Sequence, residues 1–168
     1  DAVEHRGGDV TSDTRIAYTE QPYVLNGGIA IHGSSDTAAT LSIDPGVVLK
    51  LNTTDGITVG WPTGEKGRIV ADGTAMLPIT FTTNLSPVRG AWRGFEFYTA
   101  SPASSLKYCT IEWAGNGNQR SIDLNRAAAA FENCTIRKGL GGAISVHDPG
   151  AIATLTDCAL DNFTTYGV

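Results

Sequence analysis

Five residues of this chain carry groups able to do chemistry at related positions: Glu96, Asp123, Arg126, His147 and Asp148. Glu96 and Asp123 each sit in the middle of an apolar-x-apolar triplet, Phe95-Glu96-Phe97 and Ile122-Asp123-Leu124. A third triplet, Ile144-Ser145-Val146, runs directly into His147 and Asp148. If the triplets are equivalent strands lying side by side, the two carboxylates stand roughly 5 to 6 Å apart on one outward face. Like charges so placed raise one pKa, share a cation, or divide the duties of acid and base. Oxygen-rich clusters suit calcium, which makes Glu96 and Asp123 candidate metal ligands. In a catalytic reading Arg126 or His147 acts as base and His147-Asp148 completes the site. The plainer account is a solvated polar face on which Arg126 neutralises a neighbour. Trp61 and Tyr98 are the ligand-binding candidates, because aromatic faces with a polar handle stack on sugar rings.

Whether these side chains meet depends on the elements that hold them, and those elements repeat. Cys109, Cys134 and Cys158 are spaced by 25 and 24 residues, inside segments that align as LKYCTI (106–111), FENCTI (131–136) and LTDCAL (155–160). Cys and the aliphatic residue two places on share one face of a strand, so the cysteines point inward. A second column contains Ile29-Ala-Ile31, Ile57-Thr-Val59, Phe95-Glu-Phe97, Ile122-Asp-Leu124 and Ile144-Ser-Val146, each after a glycine or small residue, and a last triplet beginning near Gly167-Val168. A third runs Leu41, Ile69, Leu106, Phe131 and Leu155, lengthening at the same place as the second. That shared excess falls within residues 57–106, where WPTGEKG (61–67) and NLSPVRG (84–90) provide loops.

Three short strands in each unit, a period in the low to middle twenties and no helical signal predict an all-β chain that coils upon itself. Each strand then stacks on its equivalent about 4.8 Å away. The expected fold is a right-handed parallel β-helix, a solenoid of roughly five to six coils with three short strands per coil. Its core is lined by ladders of like side chains. A sandwich of antiparallel hairpins would not require three columns to keep one period. Residues 1–22 fall outside the repeat and are expected to cap the first coil. Residues 23–168 form the β-helix domain, expected to continue beyond 168 in a longer parent chain, with its C-terminal end covered by further chain or by a partner.

Composition narrows the function. The chain has 168 residues, a formal charge of −5 and 41% hydrophobic residues. With four lysines and no basic cluster, nucleic acid is not an expected partner. No apolar run is long enough for a membrane-spanning helix. Twenty Gly and twenty Thr belong to strands and turns.

The segments ATLSIDPGVVLKL (39–51), GRIVADGT (67–74), LPITFT (77–82), GAWRG (90–94) and YCTIE (108–112) resemble the right-handed, pectate-lyase-like parallel β-helix modules of bacterial secreted and surface proteins. The resemblance covers residues 22 to the end. It implies an extracellular or cell-surface module that is non-catalytic, a scaffold for structure, adhesion or carbohydrate binding, with a polysaccharide or cell-surface ligand as partner. The alternative it carries is a polysaccharide lyase or glycoside hydrolase acting on acidic polysaccharide, since lyases of this fold place calcium and an arginine on such a face. The paired aspartates and Gly-His-Gly of polygalacturonases do not occur: His32 lies in Ile-His-Gly.

The remaining patterns read as structure. Glu112, Arg137 and Asp161 form a ladder of alternating charge, and Thr80, Thr110 and Thr135 a hydroxyl ladder ended by Ala159. Trp113 continues the inward parity of Cys109 and Ile111 and is expected in the core. The three thiols are expected free, because stacked parallel side chains suit disulfide torsions poorly.

Overall fold

The computed structural model describes residues 2–99, 103–116 and 120–165, and it is a parallel β-solenoid of three sheets. The first sheet stacks β1 (Val3–His5), β4 (Tyr23–Leu25), β7 (Val48–Leu51), β10 (Ile79–Thr83), β13 (Cys109–Glu112), β16 (Thr135–Arg137) and β19 (Ala159–Asp161). The second stacks β2 (Gly8–Val10), β5 (Ile29–Ile31), β8 (Ile57–Val59), β11 (Phe95–Phe97), β14 (Ile122–Asn125) and β17 (Ile144–His147). The third stacks β3 (Thr14–Ile16), β6 (Ala39–Ile43), β9 (Gly67–Asp72), β12 (Ser104–Lys107), β15 (Ala128–Glu132) and β18 (Ile152–Thr156). The expected last triplet near Gly167-Val168 lies outside the described residues. No described helix is long and apolar enough to cross a membrane.

Alternation along each strand sends every second side chain inward. Ile57 and Val59 are fully buried while Thr58 between them is not, and the same holds for Phe95 and Phe97 about Glu96. The second column is reproduced residue for residue, Ile29 on Ile57, Phe95, Ile122 and Ile144. Phe95 stacks on Phe97 with centroids 6.0 Å apart; edge-on contacts of Phe95 with Phe81 and Trp92, and of Phe97 with Phe131, tie the three sheets into one core.

The small residue before each second-sheet strand has a steric cause. A Cβ built on Gly56 would lie 2.5 Å from the carbonyl oxygen of Gly94, one rung on, and 3.0 Å from Arg93 Cβ. Successive rungs approach too closely there for a side chain.

The segment before Tyr23 supplies the terminal rung. β1, β2 and β3 pair in parallel with β4, β5 and β6, and Val10 and Ile16 pack against the core, in register with Ile31 and Ile43. Its spacing to the next rung, 21 residues from Val10 to Ile31 against 28 from Ile31 to Val59, hides it from a search for a fixed period.

Two expectations about the core are corrected. The third column does not run from Ile69 to Leu106. Leu106 pairs with Ala71, and Ile69 faces Ser104, whose buried hydroxyl accepts the Ile69 N–H at 3.1 Å. A slip of two residues keeps every inward side chain inward, so parity alone cannot detect it. Trp113 is half-exposed instead of buried. Its φ of 65° places it in a left-handed corner, where strand alternation ends, and Lys138 Nζ lies 4.6 Å from its ring centroid. The fully enclosed indole is Trp92, donating from Nε1 to the Glu112 carbonyl at 2.9 Å.

Corners of this kind recur in columns. Tyr108, Asn133 and Asp157 immediately precede the three cysteines with φ of 48°, 53° and 52°. Arg126 and Asp148 end neighbouring second-sheet strands at 51° and 69°.

Candidate functional site

The outer face of the second sheet carries Asp9, Ala30, Thr58, Glu96, Asp123 and Ser145 in one register column. Glu96 and Asp123 are direct neighbours, as the triplet spacing predicts. Beside them Asn125 pairs with His147, and the backbone N–H of Tyr98 donates to Val59 one rung back.

Each carboxylate has its own partner. Arg93 Nη1 stands 3.5 Å from Glu96 Oε2, a side chain only 12% exposed. Asp123 Oδ1 lies 2.9 Å from His147 Nε2, and Ser145 Oγ reaches that same nitrogen at 2.7 Å. The ring does not point a hydrogen along the line to Asp123, so the enclosed Oδ1 has the imidazole nitrogen close by but no aligned donor. Arg126 and Asp148, turned outward by their corners, face each other with Nε to Oδ2 at 3.7 Å. The phenol of Tyr98 is pushed above its ordinary pKa by burial first, then by the charges of Glu96 and Asp123.

The structure thus splits the five-residue cluster into a Glu96 centre, an Asp123 and His147 centre, and an exposed Arg126 and Asp148 pair. Asp123, His147 and Ser145 together do not make a nucleophile relay. A relay needs the carboxylate on one ring nitrogen and the hydroxyl on the other, whereas here both converge on Nε2. Among the described residues no three acidic, histidine or cysteine groups gather as a metal ion requires. The charge ladder is as expected: Arg137 Nε lies 3.0 Å from Glu112 Oε2, and the Thr82 hydroxyl donates to Oε1 at 3.0 Å.

Toward the N-terminal rungs the same face opens into a shallow cleft lined by Asp9, Asp55, Thr58, Trp61, Arg93 and Glu96. Trp61 is 39% exposed. Its loop is held by Trp61 N–H donating to Glu65 O at 2.9 Å and Gly64 N–H donating to Trp61 O at 3.0 Å. The ring rests against His32, centroids 5.3 Å apart. Tyr98, the other aromatic candidate, is not part of the cleft.

Sequence reasoning missed Asp9, Asp55 and Arg93. Asp9 belongs to the rung that the period did not reveal. Asp55 and Arg93 lie just before second-sheet strands, outside the alternating positions, and only the stacking of those turns brings them to the face. The signal available was their common offset: each stands immediately before the glycine that leads into β8 or β11, two residues before the strand. The chain matches no protein-family model, no curated protein and no solved structure.

Proposed function

We propose that this chain is a non-catalytic, carbohydrate-binding β-solenoid module of the pectate-lyase-like kind, displayed outside the cell or at its surface, with the cleft beside Trp61 as its binding site. The observation that carries this reading is the exposed indole of Trp61 at the edge of a cleft lined by Asp9, Asp55, Thr58, Arg93 and Glu96. An aromatic plane flanked by polar side chains offers a sugar ring an apolar face and hydrogen-bond partners together. Hydrogen-bonded stacking of the rungs holds these groups in place before a ligand arrives, which lowers the entropic cost of binding. Val146, Ile152 and Leu155, exposed on the last rung, support further coils or a partner stacking at that end.

The test is titration calorimetry against a panel of neutral, amino and acidic oligosaccharides. At least one class binds in the micromolar to millimolar range, and Trp61→Ala weakens it by about tenfold or more with the melting temperature unchanged. Binding by no member of the panel, or equal binding by the Trp61→Ala variant, overturns the reading.

A further inference from the structure

Resting on the carbohydrate reading above, the charge of the cleft specifies which sugars it takes. Its ionised side chains are three carboxylates, Asp9, Asp55 and Glu96, against one guanidinium, Arg93. The guanidinium is already committed, with Nη1 3.5 Å from Glu96 Oε2. Asp9 has a side chain 66% exposed and, among the described residues, only the His32 ring as a charged-group neighbour, Nε2 at 3.8 Å from Oδ1. Asp55 accepts from the Thr53 hydroxyl at 3.1 Å and carries no cationic partner among the described residues. Further along the same column Asp123 adds a fourth carboxylate. A uronate placed on Trp61 would meet unpaired like charge, and its natural cation is occupied. A protonated amine would meet two carboxylates without a strong partner: Asp9, two rungs before Thr58 in the same column, and Asp55, in the turn that leads into the Thr58 strand.

We infer that the cleft recognises polysaccharide bearing free amino groups, a glucosamine-type polymer, with Trp61 stacking on a ring and Asp9 and Asp55 pairing with its ammonium groups. The same charges disfavour acidic polysaccharide bound without a bridging cation. Exposed ion pairs are individually weak, so discrimination comes from two of them acting on one chain and is sensitive to salt.

The experiment compares three hexasaccharides on the whole protein at about pH 6, where carboxylates are ionised: glucosamine hexamer, its fully N-acetylated counterpart and a galacturonate hexamer. The glucosamine hexamer is expected to bind about tenfold or more tightly than either. The Asp9→Asn, Asp55→Asn double variant and 0.5 M salt, roughly a 4 to 5 Å screening length, are each expected to remove most of that advantage. Trp61→Ala is expected to weaken glucosamine binding although every charge remains. If the N-acetylated or galacturonate hexamer binds as tightly or more tightly, the amine inference fails while the carbohydrate reading stands. If Trp61→Ala binds the glucosamine hexamer as well as the parent chain, the attraction is general to an acidic surface and the inference fails. If no hexamer binds at millimolar concentration, the amine inference fails, and the carbohydrate reading falls with it only when the other neutral members of the panel also fail to bind.

Discussion

Cys109 and Cys134 stand one above the other on successive rungs in matching poses: Cys109 Sγ donates to Ala71 O at 3.2 Å, and Cys134 Sγ to Leu106 O at 3.3 Å. Cys158 continues the ladder toward Phe131 O at 3.4 Å, on the less covered last rung. Hydrogen bonding with the neighbouring Cys134 thiol, and then burial, hold the Cys109 thiol well above the ordinary cysteine range. Burial also shields Cys134, which is 1% exposed. Reactivity requires both a thiolate and access. Iodoacetamide at about pH 8 is therefore expected to modify Cys158 first, with Cys109 and Cys134 labelled only in denaturant. Peptide mass spectrometry reads the order, and prompt native labelling of Cys109 would refute the stacked ladder.

The approach of Gly56 to the Gly94 carbonyl makes a second expectation sharp. Gly56→Ala places a methyl 2.5 Å from backbone oxygen, and neither rung can retreat without breaking ladder hydrogen bonds. The cost is about 1–3 kcal/mol, the usual range for overpacking a well-filled site. Urea unfolding of the variant, with an unchanged m-value, measures it.

What the sequence conveys about this fold is parity and period, and both have blind spots. The triplets around Glu96 and Asp123 were legible because apolar residues flank each carboxylate on every rung. Alternation cannot choose between Ile69 and Ala71 as the partner of Leu106, because both are inward and apolar. Parity fails at Trp113 because a left-handed residue ends the alternation without any marker such as glycine. Asp55 and Arg93 were invisible because turns, unlike strands, have no side-chain rhythm, and only three-dimensional stacking aligns them.

Acid should weaken the N-terminal end in a traceable way. Arg15 grips Asp44 with both nitrogens, Nε and Nη2 each 2.7 Å from a carboxylate oxygen, and Tyr18 N–H adds a third donor at 3.1 Å. The hydrogen bonds from Arg15, ahead of every other influence, lower the Asp44 pKa in the folded chain. A depressed carboxylate stabilises fully above its unfolded value of about 3.9, and the contribution disappears as pH falls through the lower folded value. From about pH 6 to about pH 3 the parent chain should lose more stability than Asp44→Asn, which has no carboxylate to protonate. Urea midpoints at the two pH values test this. Equal losses would show that the clamp contributes nothing to folding.

The left-handed corner at Asn133 links backbone strain to the core it precedes. With φ at 53°, Asn133 turns the chain from the third sheet into the first, so that Cys134 enters the core in register. Asparagine tolerates this conformation, whereas a β-branched side chain crowds the carbonyl. Asn133→Val is expected to cost about 1–2 kcal/mol. Asn133→Gly, which relieves the strain but loosens the unfolded chain, should change stability by about 0.5 kcal/mol or less. The contrast separates conformation from side-chain contact. If both variants were equally destabilised, the loss would lie in contacts of the Asn133 amide. If only valine were harmful, the corner geometry itself would be what the position requires. Chemical denaturation of the two variants beside the parent decides between them.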